Sequence, residues 1–383
     1  MKKVAVVTAT RAEYGILRPL IFRLKEEQEI CLQVIATGTH LSEKYGNTQN
    51  EIEKDGISIF RKIPILEEGN TAYDISCTMA NTLRRFALYF KEEQPDLVIV
   101  LGDRTELLGI CAAAMNERIP IAHLHGGEVT EGAVDDCIRH AITKMSYLHF
   151  PATEEYRKRI IQLGEEPERV FNVGALGVEN ILHTPLLSYE EICEQAGIPK
   201  DRDYVVMTFH PVTLEKATAR AQTEELLKAI EQQKDWFYLI TMANADVGGD
   251  IVNQMLQQFA EKKENIKLVP SLGMVRYLSA VKYSRFVLGN SSSGIIEAPS
   301  LGIPTVNIGD RQKGRLMADT IISCEPRCED IVDAMRLADR TEHRVSTIYG
   351  DGNTSEKIVT IIKDFLFHEK INLKKKFYDW ESQ

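Results

Sequence analysis

Between Leu101 and His140 the chain gathers side chains that can move protons and hold anions. It runs Leu101-Gly102-Asp103-Arg104, then His125-Gly126-Gly127-Glu128, then Asp135-Asp136 followed by Arg139-His140. Carboxylates, arginines and glycine-rich turns are poor packing choices but suit acid/base chemistry on an anionic ligand. The first two clusters directly follow apolar runs, Leu97–Leu101 and Ile119–His123, that read as buried strands. In a parallel sheet, residues just past the carboxyl ends of strands converge on one crevice where ligands bind. The pattern is that of an enzyme.

Each cluster also has a plainer reading. Asp103 could simply cap the next helix, since Asp is a good N-cap. One of Asp135 and Asp136 could serve only the helix dipole of a first turn. His123, His125 and Glu128 raise the question of a metal, but no Cys or further His stands nearby to complete a ligand set, so none is expected. The Gly126-Gly127 turn reads instead as close backbone approach to a ligand, with Glu128 projected toward it. Earlier in the chain, Arg11 sits in Thr10-Arg11-Ala12-Glu13-Tyr14 after a first strand, Val4–Thr8. It is either a phosphate contact or an ordinary surface arginine. No G-x-G-x-x-G follows that strand, which argues against a nicotinamide or flavin cofactor.

The second half carries a different set. His210 follows the strand Tyr204–Phe209 and precedes Pro211, which helps end it. Asn290-Ser291-Ser292-Ser293-Gly294 opens a helix that contains Glu297, and free N–H groups and hydroxyls at a helix start suit a phosphate. A Ser N-cap explains one of the three serines and leaves two over. Gly309-Asp310-Arg311-Gln312-Lys313-Gly314-Arg315 then puts three cations in one loop, a diphosphate candidate. Glu297 suits bidentate acceptance from ribose hydroxyls.

These residues need a scaffold of alternating strands and helices, and the chain supplies the pattern twice. Strands are expected at Val4–Thr8, Leu32–Ala36, Leu97–Leu101, Ile119–His123, Leu148–Phe150 and Val170–Val173. In the second half they are expected at Tyr204–Phe209, Trp236–Thr241, Lys267–Val269, Phe286–Leu288, Thr305–Ile308 and Thr320–Ser323. The pattern breaks near Gly174–Ser188, which places the domain junction there. The expected division is 1–175, 176–365 and a tail, 366–383, that could pack back on the first domain. Lys374-Lys375-Lys376 in that tail reads as a solvated end. The fold class is α/β, with two Rossmann-like domains whose parallel sheets face a central cleft.

Composition narrows the partners. The 383 residues are 44% hydrophobic and 27% charged, with a formal net charge of −10. That charge argues against nucleic acid or an anionic membrane as partner, without excluding a small phosphorylated ligand. No run approaches the ~20 apolar residues of a membrane span. Seven cysteines without metal-site or C-x-x-C spacing read as reduced thiols of a cytoplasmic protein. The sequons at Asn290 and Asn353 then read as chance matches.

Taken in order, these motifs resemble the UDP-N-acetylglucosamine 2-epimerase family, from about Val4 to Lys363. The most specific stretches are Thr10–Tyr14, Leu101–Arg104, His125–Glu128, Asp135–Lys144 and Gly289–Arg315. The resemblance implies a glycosyltransferase B architecture that takes a UDP-sugar, no cofactor, and assembly as a homodimer or homotetramer. It implies catalytic roles for Asp103, Glu128, Asp135 and His210. It also implies UDP contacts from Arg11, Arg104, Ser291, Ser292, Glu297, Arg311 and Arg315. Asp135 is preferred over Asp136 because it lies four residues before Arg139. The segment Val129–Val134 is shorter than in the non-hydrolysing branch, which favours the hydrolysing one.

That branch would convert UDP-GlcNAc and water to N-acetylmannosamine and UDP, for sialic-acid-type pathways. The alternative sugar is a UDP-2,4-diacetamido-trideoxyhexose of legionaminic-type pathways, and only pocket shape separates the two. A glycosyltransferase on the same fold would release UDP only with an acceptor. A non-catalytic binder would hold UDP without turnover.

Overall fold

Short aliphatic and β-branched runs, bounded by glycine and proline, form two parallel sheets. The computed structural model describes the chain except residues 44–45, 70, 130–133, 212–217, 244–248, 262, 369–370 and 380–383. Its first unit covers Met1–Asn180 and Gly350–Gln383, and its second Ile181–Tyr349.

The first sheet contains β1 (Lys2–Thr8), β2 (Ile30–Thr37), β3 (Ile59–Ile63), β4 (Leu97–Leu101), β5 (Ile121–Leu124) and β6 (Leu148–Phe150), in the order β3-β2-β1-β4-β5-β6. Its helices are α1 (Arg11–Glu26), α2 (Gln49–Lys54), α3 (Ala72–Glu93), α4 (Thr105–Asn116), α5 (Val134–Met145), α6 (Glu154–Gln162) and α7 (Leu176–His183). The second sheet contains β7 (Tyr204–Thr208), β8 (Phe237–Thr241), β9 (Ile266–Val269), β10 (Val287–Gly289), β11 (Thr305–Ile308) and β12 (Ile321–Cys324). Read from β9, its order is β9-β8-β7-β10-β11-β12, which repeats the first. Its helices are α8 (Tyr189–Ala196), α9 (Thr218–Gln232), α10 (Gly249–Ala260), α11 (Met274–Lys282), α12 (Ser293–Ser300) and α13 (Cys328–Arg340). The chain then returns to the first unit as α14 (Thr354–Phe367).

Strand order 3-2-1-4-5-6 is that of a doubly wound Rossmann sheet, whose order reverses between its first and fourth strands. Here that switch lies between β1 and β4, and between β7 and β10. Both faces of each sheet are covered, so the strands are apolar throughout. Val4, Val6, Ile99 and Leu124 pack in one cluster, and Ala5, Val7, Val98 and Val100 in another. In the second unit, Val205, Met207 and Leu288 face one cluster, and Val206, Leu239 and Val287 the other.

The structure departs from the sequence reading in four places. β3 was not expected because it is an edge strand that alternates exposed Phe60 and Lys62 with partly covered residues. Val170–Val173 is not a strand, since only Val170 bridges to His149. The division at 365 also moves, because α14 packs in the first unit. Ile358, Ile362, Phe365 and Leu366 share a core cluster with Leu17, Leu20, Ile21 and Leu24 of α1. At roughly 1.5–3 kcal/mol per buried aliphatic or aromatic side chain, this packing fixes α14 in place.

The basic tail is the fourth departure. Lys375 is not solvated, and donates to the carbonyls of Lys144 and Ser146 at 3.0 and 2.7 Å. It also pairs with Glu165, which is 1% exposed and holds Lys144 at 2.6 Å and His149 at 3.0 Å. Burial alone would push the Glu165 carboxyl up, but His149 and the two lysines hold it down at about 2. Phe377 lies against Gly164 and under the Lys144 ammonium. All seven cysteines are free thiols.

Lys375→Ala should therefore cost about 1–3 kcal/mol of stability at neutral pH, read by urea denaturation, because a buried carboxylate loses a donor. An unchanged midpoint would show that the tail contributes nothing to the first unit.

Candidate functional site

The sequence-predicted residues of the first unit lie past the carboxyl ends of β1, β4 and β5 and at the start of α5. Asp103 does not cap α4. Arg104 occupies that N-cap position, and its side chain makes no cap hydrogen bond. The Asp103 carboxylate instead accepts from Arg139 Nη2. Arg139 is 6% exposed, and its Nη1 also donates to the Glu128 carbonyl at 2.9 Å and to Asp136 at 3.5 Å. One guanidinium thus ties together the loop after β4, the loop after β5 and the first turn of α5.

Around it the carboxylates crowd. Burial pushes the Asp103 carboxyl up, Arg139 opposes this, and the charges of Asp135 and Glu128 add to the rise. Asp103, Glu128 and Asp135 therefore share one electrostatic neighbourhood. A carboxyl raised in this way suits proton transfer. Asp136 is engaged by both Arg139 and His140 Nε2, the latter at 3.5 Å, while Asp135 is exposed at the helix start. Glu128 lies 3.3 Å from His125 Nδ1.

The Glu128 turn depends on unusual backbone. His125 takes φ +61° and Gly127 φ +80°. A Cβ on Gly127 would stand 2.4 Å from the Tyr156 carbonyl of α6, so only glycine lets the turn pack there. His123, weighed above as a metal ligand, is fully buried. Its Nε2 is 2.8 Å from the Gly102 carbonyl and its Nδ1 3.3 Å from Thr143 Oγ1. Both ring nitrogens join β5 to its neighbours, and burial pushes the imidazole down to about 3. The short segment between Glu128 and Asp135 lies largely outside the described residues, at 130–133.

Arg104 bonds Glu106 at 2.7 Å. Arg11 is exposed and pairs with Glu51 of α2 at 3.6 Å. Beside it, Glu13 closes a capping box with Thr10, taking the N–H groups of Ala9 and Thr10 at 2.8 and 3.0 Å. Burial, then the neighbouring charge of Glu106, pushes Glu13 up to about 7.

In the second unit one buried asparagine does the organising. Asn290, 1% exposed, exchanges two 2.8 Å hydrogen bonds with the backbone of His210. Its own carbonyl accepts from Arg311 at 3.1 Å and Gln312 at 2.9 Å. The loops after β7, β10 and β11 are joined through it. Gly289 beside it has φ +136°, and a Cβ there would stand 1.9 Å from the Thr208 carbonyl of the paired strand. A sequon asparagine spent in this way is structural.

His210, Ser291 and Glu297 line one cavity of about 400 Å³, with Thr208, Tyr277 and Ser293. Burial pushes the Glu297 carboxyl up, and Ser293 partly offsets this. The Tyr277 hydroxyl is raised to about 12 by burial and then by the Glu297 charge. Ser292 is the exposed N-cap of α12 and makes no side-chain cap bond. Arg311 reaches the Asn290 carbonyl. Arg315 and Ser292 are not among the residues lining the cavity. A pocket of hydroxyls, one carboxylate and an imidazole at a helix start can hold a ribose and the anion beside it.

The sequence reading did not assign roles to Arg139, Glu13, Asn290, Tyr277 or Ser293. Thr10-x-x-Glu13 is a legible capping signature. Arg139, Asn290 and Tyr277 act through contacts distant in sequence, whereas Ser293 acts on Glu297 four residues on, within the serine run already noted.

Known proteins resemble this chain along most of its length. A family model described as UDP-N-acetylglucosamine 2-epimerase matches residues 23–363. The GDP/UDP-N,N'-diacetylbacillosamine 2-epimerase (hydrolyzing) of Campylobacter jejuni is 41% identical over 325 residues, 85% of this chain and 84% of that protein. Polysialic acid biosynthesis protein P7 of Escherichia coli is 40% identical over 386 residues, 99% and 98% of the two chains. The UDP-N,N'-diacetylbacillosamine 2-epimerase (hydrolyzing) of Legionella pneumophila is 34% identical, covering 97% and 98%. The crystal structure of UDP-GlcNAc 2-epimerase from Neisseria meningitidis bound to UDP-GlcNAc superposes with a TM-score of 0.78 at 18% identity, over 94% and 99% of the chains. At that identity the likeness speaks for the fold, two α/β units of the glycosyltransferase B class.

Two measurements follow from these contacts. Arg139→Met leaves the half-buried Asp103 without its partner and should lower the unfolding free energy by about 2–3 kcal/mol. Arg139→Lys keeps the charge but not the two-armed fork and should cost less. Equal stability of Arg139→Met and wild type in urea would remove the tether. Glu13 holds its proton up to about pH 7 when folded, against 4.5 as its ordinary value. The folded state thus binds more protons between those pH values, and stability falls as pH rises through the window. Glu13→Gln should flatten that slope in thermal melts from pH 4.5 to 7.

Proposed function

Because the chain belongs to the UDP-N-acetylglucosamine 2-epimerase family, we propose that it acts on a UDP-2,4-diacetamido-2,4,6-trideoxyhexose such as UDP-N,N'-diacetylbacillosamine. Relatives named hydrolysing 2-epimerases make it an enzyme of that kind; the sugar and the residue roles are the proposal. UDP-GlcNAc, the substrate favoured from sequence, gives way because two of the relatives described above carry the diacetylbacillosamine name. It stays as a second reading, supported by the full-length relative named for polysialic acid biosynthesis.

The observation that carries the chemistry is Asp103, tied through Arg139 to the Glu128 backbone and felt by the charges of Asp135 and Glu128. The proton on C2 of the sugar is weakly acidic, and a carboxylate shielded from water can remove it. As the C2–H electrons form the C1–C2 double bond, the C1–O bond breaks and UDP departs. The product is a 2-acetamidoglucal. Water then adds its oxygen to C1, and a proton is delivered to C2 on the opposite face, inverting that centre. Two acid/base groups are needed, and Asp103, Glu128 and Asp135 can supply them.

In this reading the cavity lined by His210, Ser291 and Glu297 takes the nucleotide. Glu297 accepts from the ribose hydroxyls. The α12 start offers N–H groups to the diphosphate, and His210 with Arg311 and Arg315 stabilises charge on the departing UDP. Arg11 is assigned to the same anion, whereas Arg104 is already held by Glu106 at 2.7 Å.

The test is incubation with UDP-N,N'-diacetylbacillosamine and, separately, UDP-GlcNAc in deuterated water, followed by NMR. UDP release with a free, C2-inverted diacetamido sugar carrying deuterium at C2 is expected. Turnover of UDP-GlcNAc alone would return the second reading, and turnover of neither would sink both. Asp103→Asn and Glu128→Gln should fold normally and lose about 10²–10⁴-fold in kcat. Near-normal turnover in either would exclude that residue from the chemistry.

A further inference from the structure

A second cavity opens on the first unit, beside the carboxylate cluster. It has a volume of about 720 Å³ and is formed by the loops after β2 and β3, the start of α3 and residues Arg104–Glu106. Asp103 is the residue immediately before that last segment. One wall is apolar, made by Leu41, Pro64, Ile65, Leu66 and Ile75. Leu66 is 42% exposed and Ile75 44% exposed. The core does not use these two side chains, yet both converge on this cavity. The lining is also acidic, with Glu43, Glu67, Glu68 and Glu106 beside Arg104, the one cation among the described lining residues.

That lining selects among the parts of a UDP-sugar. Four carboxylates facing one arginine repel a diphosphate, so the UDP end is excluded. Neutral groups with apolar surface and N–H donors are welcome, because carboxylates accept and cannot donate. A hexose bearing hydroxyls at C4 and C6 offers little to the apolar wall. A 2,4-diacetamido-2,4,6-trideoxyhexose offers an acetyl methyl and an amide N–H at C4 and a bare methyl at C6.

We propose that this cavity receives the C4–C6 edge of the sugar, and that Leu66 and Ile75 select an acylamino group at C4 and a methyl at C6 over hydroxyls. The proposal rests on the UDP-sugar reading above. Leu66 and Ile75 are specificity determinants and take no part in proton transfer. Glu106 bonds Arg104 at 2.7 Å, so the polar wall is braced from the same segment that carries Asp103. Glu67 is likewise set in place, by Asn81 and by its own N–H on Thr78 Oγ1 at 3.1 Å.

The experiment compares wild type with Leu66→Asn, Ile75→Asn and the apolar control Leu66→Met, using UDP-N,N'-diacetylbacillosamine and UDP-GlcNAc. Each Asn variant should lower kcat/KM for the diacetamido sugar about tenfold and leave UDP-GlcNAc unchanged, since one methyl-sized apolar contact is worth roughly that much. Leu66→Met should restore most of the loss. Both positions are half-exposed, so melting temperatures should stay near wild type. Equal losses on both sugars, or none, would overturn the proposal, as would a wild-type preference for UDP-GlcNAc.

Saturation-transfer NMR separates this result from the fate of the epimerase reading, because it reports contact without turnover. In wild type the C4 acetyl and C6 methyl protons of the bound diacetamido UDP-sugar should be strongly saturated, and in the Asn variants weakly. Weak methyl saturation in an active wild-type enzyme would overturn the pocket and leave the epimerase standing. Strong saturation without turnover would do the reverse.

Discussion

The first unit depends on one buried guanidinium. Arg139 leaves the start of α5 and meets the Asp103 carboxylate, the Glu128 carbonyl and Asp136. A fork of fixed geometry can satisfy acceptors on separate segments, which a lysine cannot do. It also makes a cluster of carboxylates tolerable, because without a cation their mutual repulsion and desolvation would drive them apart. Crowding and restraint thus have one source. The same contact that keeps Asp103 in place limits how far burial can raise its pKa.

The second unit solves the matching problem without charge. Asn290 braces the backbone of His210 and takes Arg311 and Gln312 on its carbonyl. A neutral hub leaves the cations of the loop with charge for an anion, whereas a carboxylate there would cancel them. The Asn290 hub spans the strand-order reversal between β7 and β10, where loops diverge and backbone groups need partners from the side chains, and the Arg139 hub lies one strand beyond the reversal, between β4 and β5.

Much of this was legible in the chain. Apolar runs such as Leu97–Leu101 and Thr305–Ile308 are found at their expected bounds, because strands buried on both faces carry an uninterrupted signal. Asp103 and Glu128 stood out because polar residues in the turns just after such strands have no packing reason to be there. The rest was hidden by non-locality. β3 is an edge strand whose half-exposed pattern resembles a loop. α14 looks like the natural end of the second unit, and only its packing on α1 assigns it to the first. Lys375 sits in a basic run, and nothing nearby in sequence announces Glu165, 210 residues earlier. Leu66 and Ile75 are equally unremarkable until the loops after β2 and β3 are placed beside Arg104.

The return of α14 has a consequence for synthesis. The second unit is one continuous stretch, Ile181–Tyr349, and every strand of its sheet is available as soon as that stretch leaves the ribosome. The first unit emerges earlier but lacks the helix that covers α1 until α14 has been made. Its apolar face, with Leu17, Leu20 and Leu24, stays open while more than 170 further residues are added. The order of emergence and the order of completion are therefore reversed: the nascent N-terminal half is the one that needs shelter, and the later half can be finished first.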